Sequence, residues 1–383
     1  MPVNDGIHGM LPREQMIESA RKYRDFYEMK PGAGFFQKEF GYFTLEKWKR
    51  EEGLPEDADL DSLFGFDSFG TLDLYGLGWC QSNFLPPFEE KVLEDRGDYE
   101  LAQDSAGRSV LYFKGRREGF MPEYVDHPVK DQKTWEENCL WRLDPDSPQR
   151  QVEIDNYMPI AVEQAKLGKF VVQTAIGGYM YLRSLIGPEK LLYTFYDDPD
   201  LIHTCMEHWL KLTDSVIARH QQHVSLDELF IAEDICYNHG SLISPDMMRE
   251  FLLPYYQQLL TNTRRRQLDQ SRPMGFQVDT DGFCEPVIDL YRELGMTHMS
   301  PFEVAAGCDV LRVAQKYPDL RISGGVDKRV LAEGKDAIDR MVDRIFPEMQ
   351  KRGGYLPTCD HGVPEEVSLE NYLHYRKRCL EFA

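Results

Sequence analysis

LRISGGVDKRVL at residues 320–331 and GYLPTCDHGVPEEVSLENYLHY at 354–375 share one pattern: a short apolar run, an abrupt stop in Gly, Asp, Cys or His, then a helical stretch. A buried strand that ends in titratable residues and leads into a helix is how a barrel of alternating strands and helices presents chemical groups at one rim. MGFQVDTDG at 274–282 repeats the pattern, with Asp279 and Asp281 flanking Thr280 where the apolar run stops. Working outward, strands are expected at 169–174, 228–233, 274–279, 297–300, 320–324 and 354–358, with helical segments between them. Such a succession implies a parallel sheet. Six visible strands predict an α/β barrel with two further, less obvious strands.

Composition bounds the rest. Hydrophobic residues make up 42% and aromatics 12% of 383 residues, enough for a large core in one barrel or two medium domains. The formal net charge is −21, from 65 acidic against 44 basic residues, a field that repels phosphate backbones and anionic lipid. Nucleic acid and membrane partners are therefore not expected. No apolar stretch approaches the roughly 20 residues of a membrane span, and the N-terminus lacks an apolar signal core, so a cytoplasmic location is expected. The eight cysteines are scattered without a Cys-x-x-Cys and read as reduced thiols. Phosphate loops rich in glycine are absent, which removes support for nucleotide binding.

The pattern changes near residue 150. Residues 1–150 read as an N-terminal extension with short helices and a β-meander, because alternating runs at 99–104 and 109–114 are separated by turns containing Gly. Pro145 and Pro148 mark the break, and residues 151–383 read as the barrel. One helix start is explicit: Ser244 as cap, Pro245 at the first position, then apolar Met248, Phe251, Leu252 and Tyr255.

ELFIAEDICYNHGSLISPDMMREFLLPYY at 228–256, GGVDKRVLAEGKDAI at 324–338 and CDHGVPEEVSLENY at 359–372 together resemble the uroporphyrinogen decarboxylase superfamily. That superfamily holds porphyrinogen decarboxylases, zinc-dependent methyltransferases that serve corrinoid-linked systems, and uncharacterised relatives. LEKWKREEGLP at 45–55 and FGFD at 64–67 resemble its decarboxylase-like branch. The resemblance implies a (β/α)8 TIM barrel with its site in a cleft at the C-terminal rim, and barrels of this superfamily often pair as homodimers. The Arg-Gln-Ala-Gly-Arg-Tyr motif by which the decarboxylases hold substrate carboxylates is missing, which weakens a polycarboxylate substrate, since such a ligand needs several fixed guanidiniums. The decarboxylase Gly-His-Gly segment stands here as Asp360-His361-Gly362, so the family histidine maps onto His361, where the methyltransferases keep a zinc-binding cysteine. Their His-x-Cys-Gly ligand pair is replaced by Asp279-Thr280-Asp281-Gly282.

These positions give the expected site. Ligands at i and i+2 beyond a strand end, with a third from another rim, form a facial set, so Asp279, Asp281 and His361 are expected metal ligands, with Glu303 and Cys359 in reach. Carboxylates in place of His and Cys make a harder set, less selective for zinc over magnesium or manganese. His361, Asp281 and Asp234 are the expected catalytic residues, and Tyr179, Tyr181, Arg183, Lys328 and Arg329 the expected substrate contacts. The histidines at 203, 208, 220, 223, 298 and 374 read as hydrogen-bonded core or surface residues. The expected activity is metal-assisted methyl transfer, with a divalent ion, zinc first, between a small molecule and a corrinoid carried by a partner protein. The alternatives are cofactor-free decarboxylation of a porphyrinogen-like or other carboxylated substrate, and a ligand-binding barrel without catalysis.

Overall fold

The computed structural model describes residues 6–115 and 122–382. Strands among them are β1 Thr71–Leu74, β2 Lys91–Arg96, β3 Tyr99–Gln103, β4 Ser109–Phe113, β5 Glu123–Asp126, β6 Phe170–Ile176, β7 Glu228–Ala232, β8 Cys236–Tyr237, β9 Gly240–Ser241, β10 Gly275–Asp279, β11 His298–Ser300, β12 Arg321–Ser323 and β13 Tyr355–Leu356. Seven of them form one sheet in the order β1-β6-β7-β10-β11-β12-β13. Every pairing in it is parallel. Parallel neighbours need crossovers, and helices supply them, among them Pro199–His220 after β6, Leu253–Arg266 after β7 and Lys335–Arg352 after β12.

All six expected strands are present, displaced by two residues or fewer at each end. The seventh, β1, lies N-terminal to the division expected near residue 150 and pairs with β6 from Thr71 opposite Phe170 to Leu74 opposite Gln173. Among the described residues the sheet holds seven strands rather than eight. Beside its two edges runs the segment 35–41. The Phe36 carbonyl accepts from Asp67 N–H at 2.6 Å, just ahead of β1, while the Glu39 carbonyl accepts from Val363 N–H at 2.7 Å, beyond β13. The segment makes only an isolated bridge, Phe40 with Val363, and so forms no strand of its own.

The expected meander is a separate antiparallel sheet, β2-β3-β4-β5. The helix expected after Ser244 also forms, with Ser244 Oγ accepting from Met247 N–H at 3.1 Å, but it ends at Phe251 and a second helix starts at Leu253. Pro254 explains the break, since a proline inside a helix removes one N–H and its ring clashes with the carbonyl four residues back.

At the N-terminal ends of the strands, the helix Glu18–Tyr27 lays aromatic rings against the sheet, with Tyr23 and Tyr27 4.9 and 4.4 Å from the Phe170 ring. Arg24 on that helix and Arg272 ahead of β10 both hydrogen-bond the buried Asp227. Burial opposes ionisation of Asp227, yet the two guanidiniums overcome it and hold its carboxyl below the usual range. This closes the end opposite the rim.

Candidate active site

Side chains alternate across a strand, so one set from each strand of the parallel sheet faces inward. They line a cavity of about 410 Å³, with Asp73 from β1, Thr174 from β6, Gln277 and Asp279 from β10, and Ser300 from β11. Cys359 and His361 line it where the chain leaves β13. Its size suits a small molecule.

Asp279 ends β10 and accepts a hydrogen bond from Ser300 Oγ at 2.5 Å. Burial, reinforced by the neighbouring carboxylates of Asp281 and Asp234, pushes its carboxyl up to about 7. Asp281 leaves the strand direction and meets His361, whose Nε2 lies 3.0 Å from Asp281 Oδ2. That hydrogen bond raises the pKa of the imidazole above its ordinary value, against the effect of partial burial. Thr280 between the two aspartates is buried, and its Oγ1 accepts from the N–H groups of Ile235 and Cys236 at 3.0 and 3.1 Å, which pins the rim after β10 to the rim after β7. Gly282 follows with φ +75°, and a Cβ there would stand 2.7 Å from the Tyr237 backbone, so the turn requires glycine.

Asp234 sits one residue beyond the buried Glu233 with a left-handed φ of +46°. Burial raises its pKa although the Arg183 guanidinium is paired with it. Glu233 behind it accepts from the hydroxyls of Tyr256 and Tyr291 at 2.5 and 2.7 Å and is pushed by burial up to about 7. Tyr179 is buried beside these carboxylates, whereas Tyr181, two residues on, packs into the core near Trp135 and its hydroxyl has no partner among the described residues. Arg183 is occupied by Asp234, and Arg329 is paired with Asp327 at 2.8 Å on an exposed helix start. Lys328 lies close enough to His361 to oppose its protonation. The structure thus brings Asp279, Asp281, Asp234, Arg183 and His361 together, and sets Tyr181 and Arg329 apart from them.

The expected metal ligands Asp279, Asp281 and His361 share the rim, and each has a partner within the protein. Glu303 Oε2 accepts from Gly282 N–H at 2.9 Å, and Cys359 is buried with its thiol pushed well above the ordinary value by that burial. Asp281 and His361 satisfy each other, and among the described residues no group of three or more His, Cys, Asp or Glu is gathered as a metal site requires. The donors as arranged fit an acid–base site better than a coordination sphere.

Several cavity residues were not singled out from sequence. Asp73 accepts from Thr174 Oγ1 at 2.7 Å and is pushed up to about 6 by burial; the alternation in TLDL at 71–74 was its only signal. His298, expected as a hydrogen-bonded core or surface residue, is buried and hydrogen-bonded, with Nε2 2.7 Å from Ser323 Oγ and Nδ1 3.3 Å from the buried Glu228, and it also lines the cavity. Asp360 is buried beside His361 and accepts from the N–H groups of Val304 and Lys328, tying three rim segments together.

The uroporphyrinogen decarboxylase (URO-D) model matches residues 160–381, more than half of the chain. The chain belongs to the uroporphyrinogen decarboxylase family. Among solved structures, a methyltransferase from Methanosarcina mazei superposes with a TM-score of 0.54 over 95% of this chain and 98% of its own, at 14% sequence identity, a likeness of fold. No curated protein sequence matches the chain. The family match starts after the meander, so β1 and the segment 35–41 lie outside the matched residues although both border the cavity that Asp279 and His361 line.

Proposed function

We propose that this URO-D family member is a small-molecule methyltransferase of (β/α)8 type, working in the cytoplasm, in which a protein carboxyl group does the work expected of a metal. Asp279 carries the reading: a carboxyl held up at about 7, hydrogen-bonded to Ser300 and facing a cavity of about 410 Å³. A general acid performs best with a pKa near the working pH. In methyl transfer from a heteroatom, the bond between methyl carbon and heteroatom breaks, the electron pair stays on the heteroatom, and Asp279 delivers its proton there. Asp281 and His361, hydrogen-bonded to each other at the cavity mouth, orient the substrate and return a proton to Asp279 between turnovers. The methyl acceptor would be a corrinoid on a partner protein, as the sequence resemblance implies. The donor geometry does not support the zinc site, and no step here needs one.

A second reading is decarboxylation. The observation that favours it is the His361 imidazole at the mouth, its pKa raised by the hydrogen bond to Asp281, where a single substrate carboxylate could lie. A polycarboxylate substrate is disfavoured, because among the described residues Lys38 is the only Lys or Arg lining the cavity, and it is paired with Asp61 at 3.1 Å. The test supplies methyl ethers and N-methylamines with cob(I)alamin and follows the cobalamin spectrum, while carboxylated analogues are assayed for carbon dioxide. Methylcobalamin formation that requires Asp279 supports the proposal. Carbon dioxide release without methyl transfer overturns it in favour of the second reading.

A further inference from the structure

A second cavity, about 470 Å³, opens beside the first and is lined by the loop after β1. The two share Asp73, Trp79 and Thr174, so the loop cleft adjoins the barrel interior at these side chains. Trp79 stands at the junction. It is 49% exposed and stacks on Phe230 of β7 with ring centroids 4.9 Å apart and planes at 24°. A large aromatic side chain left half in water at a cavity junction forgoes burial that the core could have given it. The loop that carries it turns through Gly76 and Gly78, both at positive φ, and a Cβ on Gly78 would stand 2.1 Å from the Gln81 carbonyl oxygen, so the loop conformation that presents the indole is fixed by glycine.

The chemistry of the cleft is distinctive. Apart from the shared Asp73, its lining among the described residues has no charged side chain; Tyr75, Gln81, Ser82 and Asn83 offer an aromatic face, amides and a hydroxyl. Cys80 beside Trp79 lies within electrostatic reach of Asp234 and Asp281, which places the loop next to the acid–base groups. This path from barrel to loop cleft combines an aromatic wall, neutral hydrogen-bonding groups and a carboxyl, and its one Lys or Arg among the described residues, Lys38, is paired with Asp61.

We infer that Trp79 is a specificity-determining residue that stacks on the ring of an uncharged or cationic aromatic substrate, whose reacting group reaches into the barrel and whose remainder occupies the loop cleft. This rests on the small-molecule reading of the site above, but not on the reaction it performs. Carboxylate-rich ligands are rejected because the path offers them acidic neighbours and no free guanidinium among the described residues.

Binding without turnover tests it. 4-Methoxyphenol, tyramine, cyclohexanol and benzene-1,3,5-tricarboxylate are titrated by calorimetry into wild type, Trp79→Phe and Trp79→Ala. The expected result is saturable binding of the two neutral or cationic aromatics, about tenfold weaker in Trp79→Ala and nearly restored in Trp79→Phe, with neither cyclohexanol nor the tricarboxylate binding. Because Trp79 is half exposed, both variants should stay folded, with Trp79→Phe melting close to wild type and Trp79→Ala somewhat lower for the lost stacking on Phe230. Equal aromatic affinity in wild type and a folded Trp79→Ala, tighter binding of the tricarboxylate, or no binding of either aromatic overturns the inference. A failure of methyl transfer with intact, Trp79-dependent aromatic binding would count against the proposed reaction alone.

Discussion

Replacing Asp279 by asparagine should abolish activity and at the same time stabilise the protein, with a gain that grows with pH. A carboxyl moved from 3.8 in the unfolded chain to about 7 in the fold binds its proton more tightly when folded. Its favourable contribution is therefore complete below about pH 4 and is lost as pH rises through about 7. Three pH units at 1.36 kcal/mol each give about 4 kcal/mol, which cavity water reduces to about 2 kcal/mol. The asparagine side chain keeps the shape of the carboxyl but carries no charge to be repelled by Asp281 and Asp234. For domains of 150–250 residues, 1 kcal/mol moves Tm by about 2–4 °C and in a longer chain by less. Asp279→Asn should accordingly melt only about 1 °C above wild type at pH 5 and about 2–4 °C above it at pH 8. The assay is differential scanning calorimetry of both proteins at the two pH values. A Tm difference that is the same at pH 5 and pH 8 would refute the argument that Asp279 is held neutral at the expense of stability.

Asp281→Asn removes the carboxylate charge that raises the His361 pKa, so the imidazole should titrate at lower pH, visible by 15N NMR, and the alkaline limb of kcat/KM should move to lower pH. Asp227→Ala leaves Arg24 and Arg272 buried without their carboxylate and should cost about 3–5 kcal/mol in urea unfolding, with no change in substrate affinity if the protein is assayed while folded. Elemental analysis of protein purified without a tag should show no stoichiometric zinc, and dialysis against EDTA should leave activity intact; loss of activity restored by zinc would show that the Asp279, Asp281 and His361 side chains rearrange around an ion.

The strand ends were legible because buried parallel strands are written as short apolar runs, and titratable residues follow directly after several of them. Asp279 and His361 could be located that way. β1 could not, since four residues with Asp73 in their middle do not form an apolar run, and its pairing with β6 is a long-range contact. Tyr181 illustrates a signal that was present but unused: residues i and i+2 of a helix do not share a face, so Tyr179 and Tyr181 could never both reach the rim. Tyr179 and Arg183, four apart, share that face, and the structure puts both beside Asp234. The metal expectation rests on side-chain placement rather than on strand ends. Spacing brings Asp279, Asp281 and His361 to one rim, but that Asp279 takes Ser300, that Asp281 takes His361 and that Glu303 takes the Gly282 N–H is encoded by no linear pattern.

The account stands most directly on the protonation state of Asp279. Infrared difference spectroscopy, wild type against Asp279→Asn across pH 5 to 9, isolates that one carboxyl. The predicted result is a protonated C=O band, present at pH 5 and lost with a midpoint near pH 7, alongside the appearance of a carboxylate band. A carboxylate band already complete at pH 5 would contradict the account.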